Sequence, residues 1–286
     1  MPDFSTQRAA FRKLHQSGCF VMPNPWDAGS ARYLRTLGFK ALATTSAGFG
    51  FSRGLPDDPN ALAREAVLAH VADIVAAASD LPVNADFQSG YADTPEGVAE
   101  SVRLCVQTGV AGLSIEDATG DPGRPLYELP EALDRLRAAR AAIDGSGADV
   151  LLTARAECFL VGHRDPLPES IRRLQAYAEA GADVLFAPGP VDRDDIQAIV
   201  AAVRPKPVNV LMSSHTGLRV PDLAELGVRR ISVGSALARA AWTGFIRAAR
   251  QIAEQGSFAG FEGATTFAEL NSLFERDHSR QPESLR

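Results

Sequence analysis

The sequence contains no long apolar run. No stretch approaches the roughly 20 residues that cross a bilayer, and the opening MPDFSTQRAAFRKLHQSG carries no signal-peptide apolar segment. Cysteine is scarce: Cys19, Cys105 and Cys158 stand far apart, without the spacing of a metal site or a disulfide framework. Basic tracts are missing as well, and a net charge of −6 argues against nucleic acid or an anionic membrane as the main partner. These absences lead to the expectation of a soluble, reduced, cytoplasmic protein. Apolar residues, by contrast, make up 45% of 286 positions, enough for one large α/β domain or two ordinary ones.

A phrase recurs along the chain. Leu37-Gly38 precedes FKALATTS, Thr108-Gly109 precedes VAGLSIED, Ala180-Gly181 precedes ADVLFAPG, and Leu226-Gly227 precedes VRRISVGS. Each glycine follows an amphipathic segment, as a helix C-cap does, and each apolar run after it is short, as a strand buried on both faces is. Four more runs fit the strand role: CFVMP at 19–23, PVNADF at 82–87, DVLLTARA at 149–156 and PVNVLM at 207–212. Helical patterns lie between them at 27–37, 60–78, 95–108, 130–143, 168–180, 193–203, 220–226 and 236–255. Eight strand–helix units predict a (β/α)8 TIM barrel over residues 1–256. A doubly wound open sheet ranks lower, since no Gly-x-Gly-x-x-Gly turn follows the first strand. Residues 257–286 form an appendix in which Phe267, Leu270, Leu273 and Phe274 mark one more amphipathic helix. It has no place in a barrel and is expected to pack on a neighbouring surface or subunit.

In a parallel barrel the ligand site forms at the C-terminal ends of the strands. Asp86, Glu116 and Arg155 end three consecutive strands there, Ser46 follows the second strand, and Asp57 lies in the next loop. Each has an ordinary structural reading: Asp86 as a turn cap, Glu116 and Arg155 as an ion pair, Asp57 as a turn residue. The convergence on one rim is costly unless a cation or an anionic ligand uses it. Two carboxylates without a Cys or His set suit Mg2+ or Mn2+ held partly through water. His163 and His215 fall in rim-side loops, where a general acid is one reading and a solvated loop residue the other, and Cys158 follows Arg155 near the rim, where a functional role is one reading. The loop after Glu116, ATGDPGRPLYEL, combines glycines with prolines and is expected to move as a lid, with Arg124 reaching a second substrate carboxylate. Its alternative is an ordinary turn.

The segments NPWDAGSARYLRTLGFKALATTSAGFGFSRGLPD, VNADFQSGY, GLSIEDA, TARAE and ELGVRRISVGSALARAA, in that order, resemble the isocitrate lyase/phosphoenolpyruvate mutase superfamily, on its phosphoenolpyruvate mutase-like side. The resemblance spans residues 20 to 245. It implies a TIM barrel whose last helix is exchanged between paired subunits in a dimer of dimers. It also implies Mg2+ and a 2-oxo acid or its enolate at the strand ends. By motif, Ser46 with the backbone of Ala47 and Gly48 would hold the carboxylate and oxo group. Asp57, Asp86 and Glu116 would surround the metal, some through water, and Arg155 would bind the substrate.

Two departures from that pattern bear on the chemistry. An Asp-x-Asp pair after the third strand is Asn84-Ala85-Asp86 here, so one metal-side carboxylate is an amide. The loop after the fourth strand has neither the Cys-bearing segment of the lyases nor the Asn-Ser segment of the mutases. The expected activity is therefore cleavage of a C–C bond beside a 2-oxo carboxylate, by a lyase or decarboxylase acting through an enolate. Its substrate would be a small 2-oxo (di)carboxylic acid such as oxaloacetate or 2-oxoglutarate. The alternatives are a 2-oxo-acid binding protein with little catalysis, a P–C bond mutase or hydrolase, and a phosphate-binding barrel using the SSHTGL and SVGSA loops.

Overall fold

The computed structural model describes residues 3–280. In chain order its elements are α1 (Ser5–Leu14), β1 (Phe20–Met22), α2 (Ala28–Thr36), β2 (Leu42–Ala43), α3 (Ser46–Ser52), α4 (Arg64–Ala78), β3 (Val83–Asp86), α5 (Pro95–Gln107) and β4 (Gly112–Glu116). There follow α6 (Leu129–Gly145), β5 (Leu151–Arg155), α7 (Pro166–Glu179), β6 (Val184–Phe186), α8 (Arg193–Ala202), β7 (Val208–Leu211), α9 (Val220–Glu225), β8 (Arg230–Ser232), α10 (Ala236–Gln255) and α11 (Phe267–Arg280). The strands are parallel and run in the order β1-β8-β7-β6-β5-β4-β3-β2, a (β/α)8 barrel. All eight expected strands and the eight expected helices are present within a few residues of their sequence bounds. The four repeated glycines, Gly38, Gly109, Gly181 and Gly227, have φ between +80° and +100°. Each thus turns the chain from helix into strand in the left-handed region open to a residue without a Cβ.

Two helices went unread in the sequence. The first, α3, is a single glycine-rich stretch, SAGFGFS, whose propensity conceals it. Thr45 starts it by accepting the Gly48 N–H. The second, α1, closes the lower end of the barrel. Its Phe11 is fully buried among Phe20, Met22, Ala41, Leu151 and Val184, a cluster separate from the larger core between strands and helices. His15 follows on the same helix and meets Phe11 and Phe20 edge-on. The barrel therefore has an apolar floor and keeps its polar residues above it.

The gap between β1 and β2 is closed by few bonds. The Ala43 N–H donates to the Pro23 carbonyl at 3.0 Å. Beside it, the buried Asn24 side chain donates to the Thr44 carbonyl at 2.8 Å and accepts from the Val233 and Gly234 N–H groups at 2.9 and 3.0 Å. One amide thus ties the ends of β1, β2 and β8.

The appendix begins where Gly256, with φ +62°, caps α10. A single 3-10 turn at Ala259–Phe261 packs back on α10, and α11 lies against α2 of the same chain. The last six residues of the appendix, 281–286, lie outside the described residues. Among the described residues no helix is long and apolar enough to cross a membrane.

Replacing Asn24 with Ala should leave two partly buried N–H groups and a carbonyl without partners, lowering stability by on the order of 2–3 kcal/mol. Urea unfolding of the variant checks this, and an unchanged midpoint would show that the seam does not depend on the amide.

Candidate active site

A cavity of about 540 Å³ opens at the C-terminal ends of the strands. Ser46, Ala47, Asp57, Asp86, Glu116 and Arg155 all line it. Gly48 does not. It is buried one step deeper, with its N–H given to Thr45, and a Cβ there would come within 2.6 Å of Thr45 Cγ2. Its absence of side chain lets α3 close on its own cap, so of the two backbone positions named, Ala47 alone faces the cavity.

Arg155 is the centre of the site. Its Nη1 lies 3.0 Å from Glu116 Oε2 and 3.3 Å from Asp86 Oδ1, while its Nε donates to Glu157 Oε1. Burial opposes its charge, but Glu116, Glu157 and Asp86 together more than reverse that, and its pKa is raised. Nη2 takes no part in these bonds. Asp86 is held from the other side, since both the N–H and the Oγ of Ser46 donate to its Oδ2 at 2.9 Å. Register explains the convergence: Asn84, Ala85 and Asp86 pair with Gly112, Leu113 and Ser114, and Glu116 pairs with Arg155.

The site holds more negative than positive charge. Burial raises the Glu116 pKa well above its ordinary value; Arg155 opposes the rise, and Glu157, Asp86 and Asp117 add to it. Glu157 is raised as well, again chiefly by burial. Its position two residues past the strand end hid it from the reading of the rim. So did the role of Gln88, whose φ of +43° is uncommon for a residue with a Cβ. The Gln88 carbonyl accepts the Glu116 N–H at 2.9 Å, so this turn aims the carboxylate.

The second acid of the Glu116-Asp117 pair faces the opposite way. Asp117 is buried; its Oδ1 accepts the Glu157 N–H at 2.8 Å, and its Oδ2 accepts from Tyr177 at 2.6 Å and Arg173 at 3.0 Å. One carboxylate serves the cavity and its neighbour anchors α7 behind it. Deeper in the lumen, Arg230 is 1% exposed and bonded to three neutral groups, Asn209, Thr153 and His15. Burial lowers its pKa to about 9.

The loop after Glu116 is stitched to itself. Ala118 and Leu126 form an antiparallel bridge, and Thr119 bonds the Pro125 and Arg124 carbonyls. Arg124 pairs with Glu131 at 3.0 Å and lies over Tyr127, away from the cavity wall. In this structure the loop is a bonded turn, and Arg124 faces Glu131 rather than the cavity, the local pairing satisfying both the loop and its arginine. Cys158 is buried, and burial raises its thiol to about 11, too high for a ready nucleophile. Neither His163 nor His215 lines the cavity; His215 lies at a separate surface depression with Asp192 and Arg193.

The phosphoenolpyruvate phosphomutase family matches residues 11–253. The chain belongs to that family. Its solved relatives include a Burkholderia cenocepacia J2315 protein provisionally described as a lyase or mutase, 48% identical, with a TM-score of 0.90 over 96% of this chain and 98% of that one. Oxaloacetate acetylhydrolase, solved with its product oxalate, is 27% identical with a TM-score of 0.84 over 96% of each chain. The oxaloacetate decarboxylase of Paraburkholderia xenovorans is 31% identical over 81% of this chain and 76% of its own length. Enzymes that break a bond beside a carboxylate thus recur among the superfamily relatives of this phosphomutase-family chain.

Because folded Glu116 binds its proton more tightly than the unfolded chain does, its effect on stability is mildest below the ordinary carboxylate range and grows more unfavourable as pH rises through the folded pKa. Glu116→Gln should therefore be more stable than the parent at pH 8, with the gap closing toward about pH 4.3. Thermal melts across that range test it; a variant less stable at pH 8 would mean that Arg155 keeps Glu116 ionised.

Proposed function

We propose that this protein is a divalent-metal-dependent carbon–carbon lyase or decarboxylase. Its substrate would be a small 2-oxo acid, with oxaloacetate and 2-oxoglutarate as the leading candidates. The observation that carries the reading is the meeting of Asp86, Glu116 and Glu157 on one guanidinium at the open end of a barrel cavity.

The donor set suits a hard cation. Among the described residues no three His, Cys, Asp or Glu side chains gather closely enough to enclose a metal by themselves. Two carboxylates, Asp86 and Glu116, share one neighbourhood, and Asp57 lines the mouth beside them. This is the arrangement for Mg2+, or Mn2+ in its place, which keeps several waters and takes one or two carboxylates. Asn84, with its Oδ1 buried and unpartnered on the same wall, contributes no charge. Bound there, the ion would supply positive charge next to the 2-oxo oxygen.

The chain's own groups do the remainder. Arg155 Nη2 is the donor available to the substrate's carboxylate or oxo oxygen, and three acids fix its direction before charge develops. The Ala47 backbone and Ser46, at the start of α3, bound the same space. Scission of the C3–C4 bond, one carbon removed from the oxo carbon, leaves its electron pair on C3 as an enolate of the 2-oxo acid, which fixed positive charge stabilises. For oxaloacetate the departing group is C4 as CO2, and the enolate carbon C3 then takes a proton from water. No cysteine stands in the loop after Glu116 to deliver it, which favours decarboxylation over cleavage to a larger product.

A second copy of the chain is proposed as the partner of α10 and the appendix. Of the 20 residues of α10 only Ala238 is buried, while Trp242, Phe245, Phe258, Phe261 and Phe267 are exposed. Exchange of α10 between paired subunits would cover them, as in a dimer of dimers.

The purified protein should release CO2 from oxaloacetate, or cleave a related 2-oxo acid, only with Mg2+ or Mn2+ present. Arg155→Gln should lower kcat/KM by about 100-fold or more, the scale of losing one fixed donor to a developing oxyanion. Tight binding without turnover would favour the binding-protein reading instead. Light scattering at micromolar concentration should give a tetramer or dimer; a monomer would remove the α10 partner.

A further inference from the structure

Among the described residues three arginines are buried: Arg135, Arg173 and Arg230. Arg173 is paired with Asp117 and Glu169. Arg135 donates to the carbonyls of Ser89, Ala92 and Asp93 and lies over the ring of Tyr127. One cation is thus met by charge and the other by backbone dipoles and an aromatic face. Arg230 has neither. Its Nε donates to Asn209 Oδ1 at 2.8 Å and its Nη2 to Thr153 Oγ1 at 3.0 Å, while Nη1 faces His15 Nε2 at 3.4 Å. Among the described residues no carboxylate is near enough to offset what burial does to its charge. Of the three it alone lines the cavity.

The direction of the hydrogen bonds adds a second reason. A guanidinium carries five N–H groups, and three are committed here, which leaves one on each terminal nitrogen. Asn209 accepts from Arg230, and its own Nδ2 donates to Ser232 Oγ at 2.9 Å. The chain of bonds therefore runs away from the cation and ends in donors: the second Nδ2 hydrogen of Asn209 and the hydroxyl hydrogen of Ser232. Both residues line the cavity. Register sets the depth. Ser232 follows Arg230 by two on β8, and Thr153 precedes Arg155 by two on β5. Side chains two apart on a strand share a face and stand about 7 Å apart along it. Arg230 lies one layer beneath Arg155 and its acids, next to the α1 floor.

We propose that the lower lumen binds one small monovalent anion, a halide or an oxyanion the size of nitrate or formate. Arg230 is its charged partner, and Asn209 and Ser232 are neutral donors beside it. The anion supplies the counter-charge that a buried guanidinium needs and that no side chain of the lumen provides at this depth. Strands enclose the place on every side, so a bulky anion such as gluconate does not enter. The site is separate from the rim chemistry proposed above and stands whether or not a 2-oxo acid is the substrate.

Thermal melts at constant ionic strength test this, with sodium gluconate replaced stepwise by chloride, bromide, nitrate or formate, in the parent and in Arg230→Met. Each salt also acts on the protein surface, and that part is common to both proteins. The difference between them isolates the site. Above the dissociation constant the parent should gain stability with the logarithm of the small-anion concentration, and Arg230→Met should lose that gain. Anomalous scattering from parent crystals soaked in sodium bromide should place a bromide against the Arg230 guanidinium. The crystal measurement needs no variant, so it decides the matter if Arg230→Met does not fold. A parent crystal with no bromide in the lumen would overturn the inference, as would identical salt dependence in the two proteins.

Discussion

The site depends on the largely enclosed guanidinium of Arg155. Arg155 enters the barrel interior at the end of β5, where an isolated guanidinium would be costly, and three carboxylates from β3, β4 and the β5 loop surround it. That solution overshoots: one positive charge faces three acids, in surroundings where burial already disfavours ionised carboxylates. The excess is a standing demand for further positive charge. A proton can meet it at low pH, and a hard divalent ion can meet it near neutrality. Charge imbalance created by stabilising Arg155 is thus the feature that would draw a cation to the rim, and an anionic substrate would follow only through that added positive charge.

Holding such a cluster open needs support from behind. Asp117 supplies it by clamping the Glu157 backbone N–H and joining it to Arg173 and Tyr177 on α7. Arg173 in turn bonds Glu169 and the Tyr127 carbonyl, so the loop after β4 is tied to the same helix. Neighbouring acids on one strand end therefore divide the work by alternation. Glu116 points into the lumen and Asp117 points into the helix layer, as the twofold period of a strand requires. The strained Gln88 turn and the Asn24 seam act similarly: each fixes a strand end whose residues line the cavity.

Below the polar layer, α1 closes the barrel with Phe11 and leaves Arg230 enclosed among Asn209, Thr153 and His15. Burial keeps His15 neutral, lowering its pKa to about 3. With Nδ1 donating to the Phe11 carbonyl at 2.8 Å, Nε2 is the acceptor facing Arg230. The floor helix thereby contributes a bond to the lumen as well as an apolar plug.

Much of this was open to reading from the chain alone. Short apolar runs between glycine-capped amphipathic segments determine a parallel β/α alternation, because only strands covered on both faces tolerate that pattern. Strand ends then locate the rim, and Ser46, Asp57, Asp86, Glu116 and Arg155 were found there, since position along a strand is a local property. The remainder depended on direction and distance, which local pattern does not carry. Arg124 has the right charge in the right loop, yet Glu131 sits closer than the cavity. Gly48 belongs to the right motif, but its N–H is taken by the cap of a helix too glycine-rich to recognise. Glu157, Gln88 and Asn24 lie outside the strands proper, so no periodicity marks them. Closure of the barrel gives them partners: β1 is far from β8 in sequence, and only the curvature of the sheet sets Asn24 beside Val233 and Gly234.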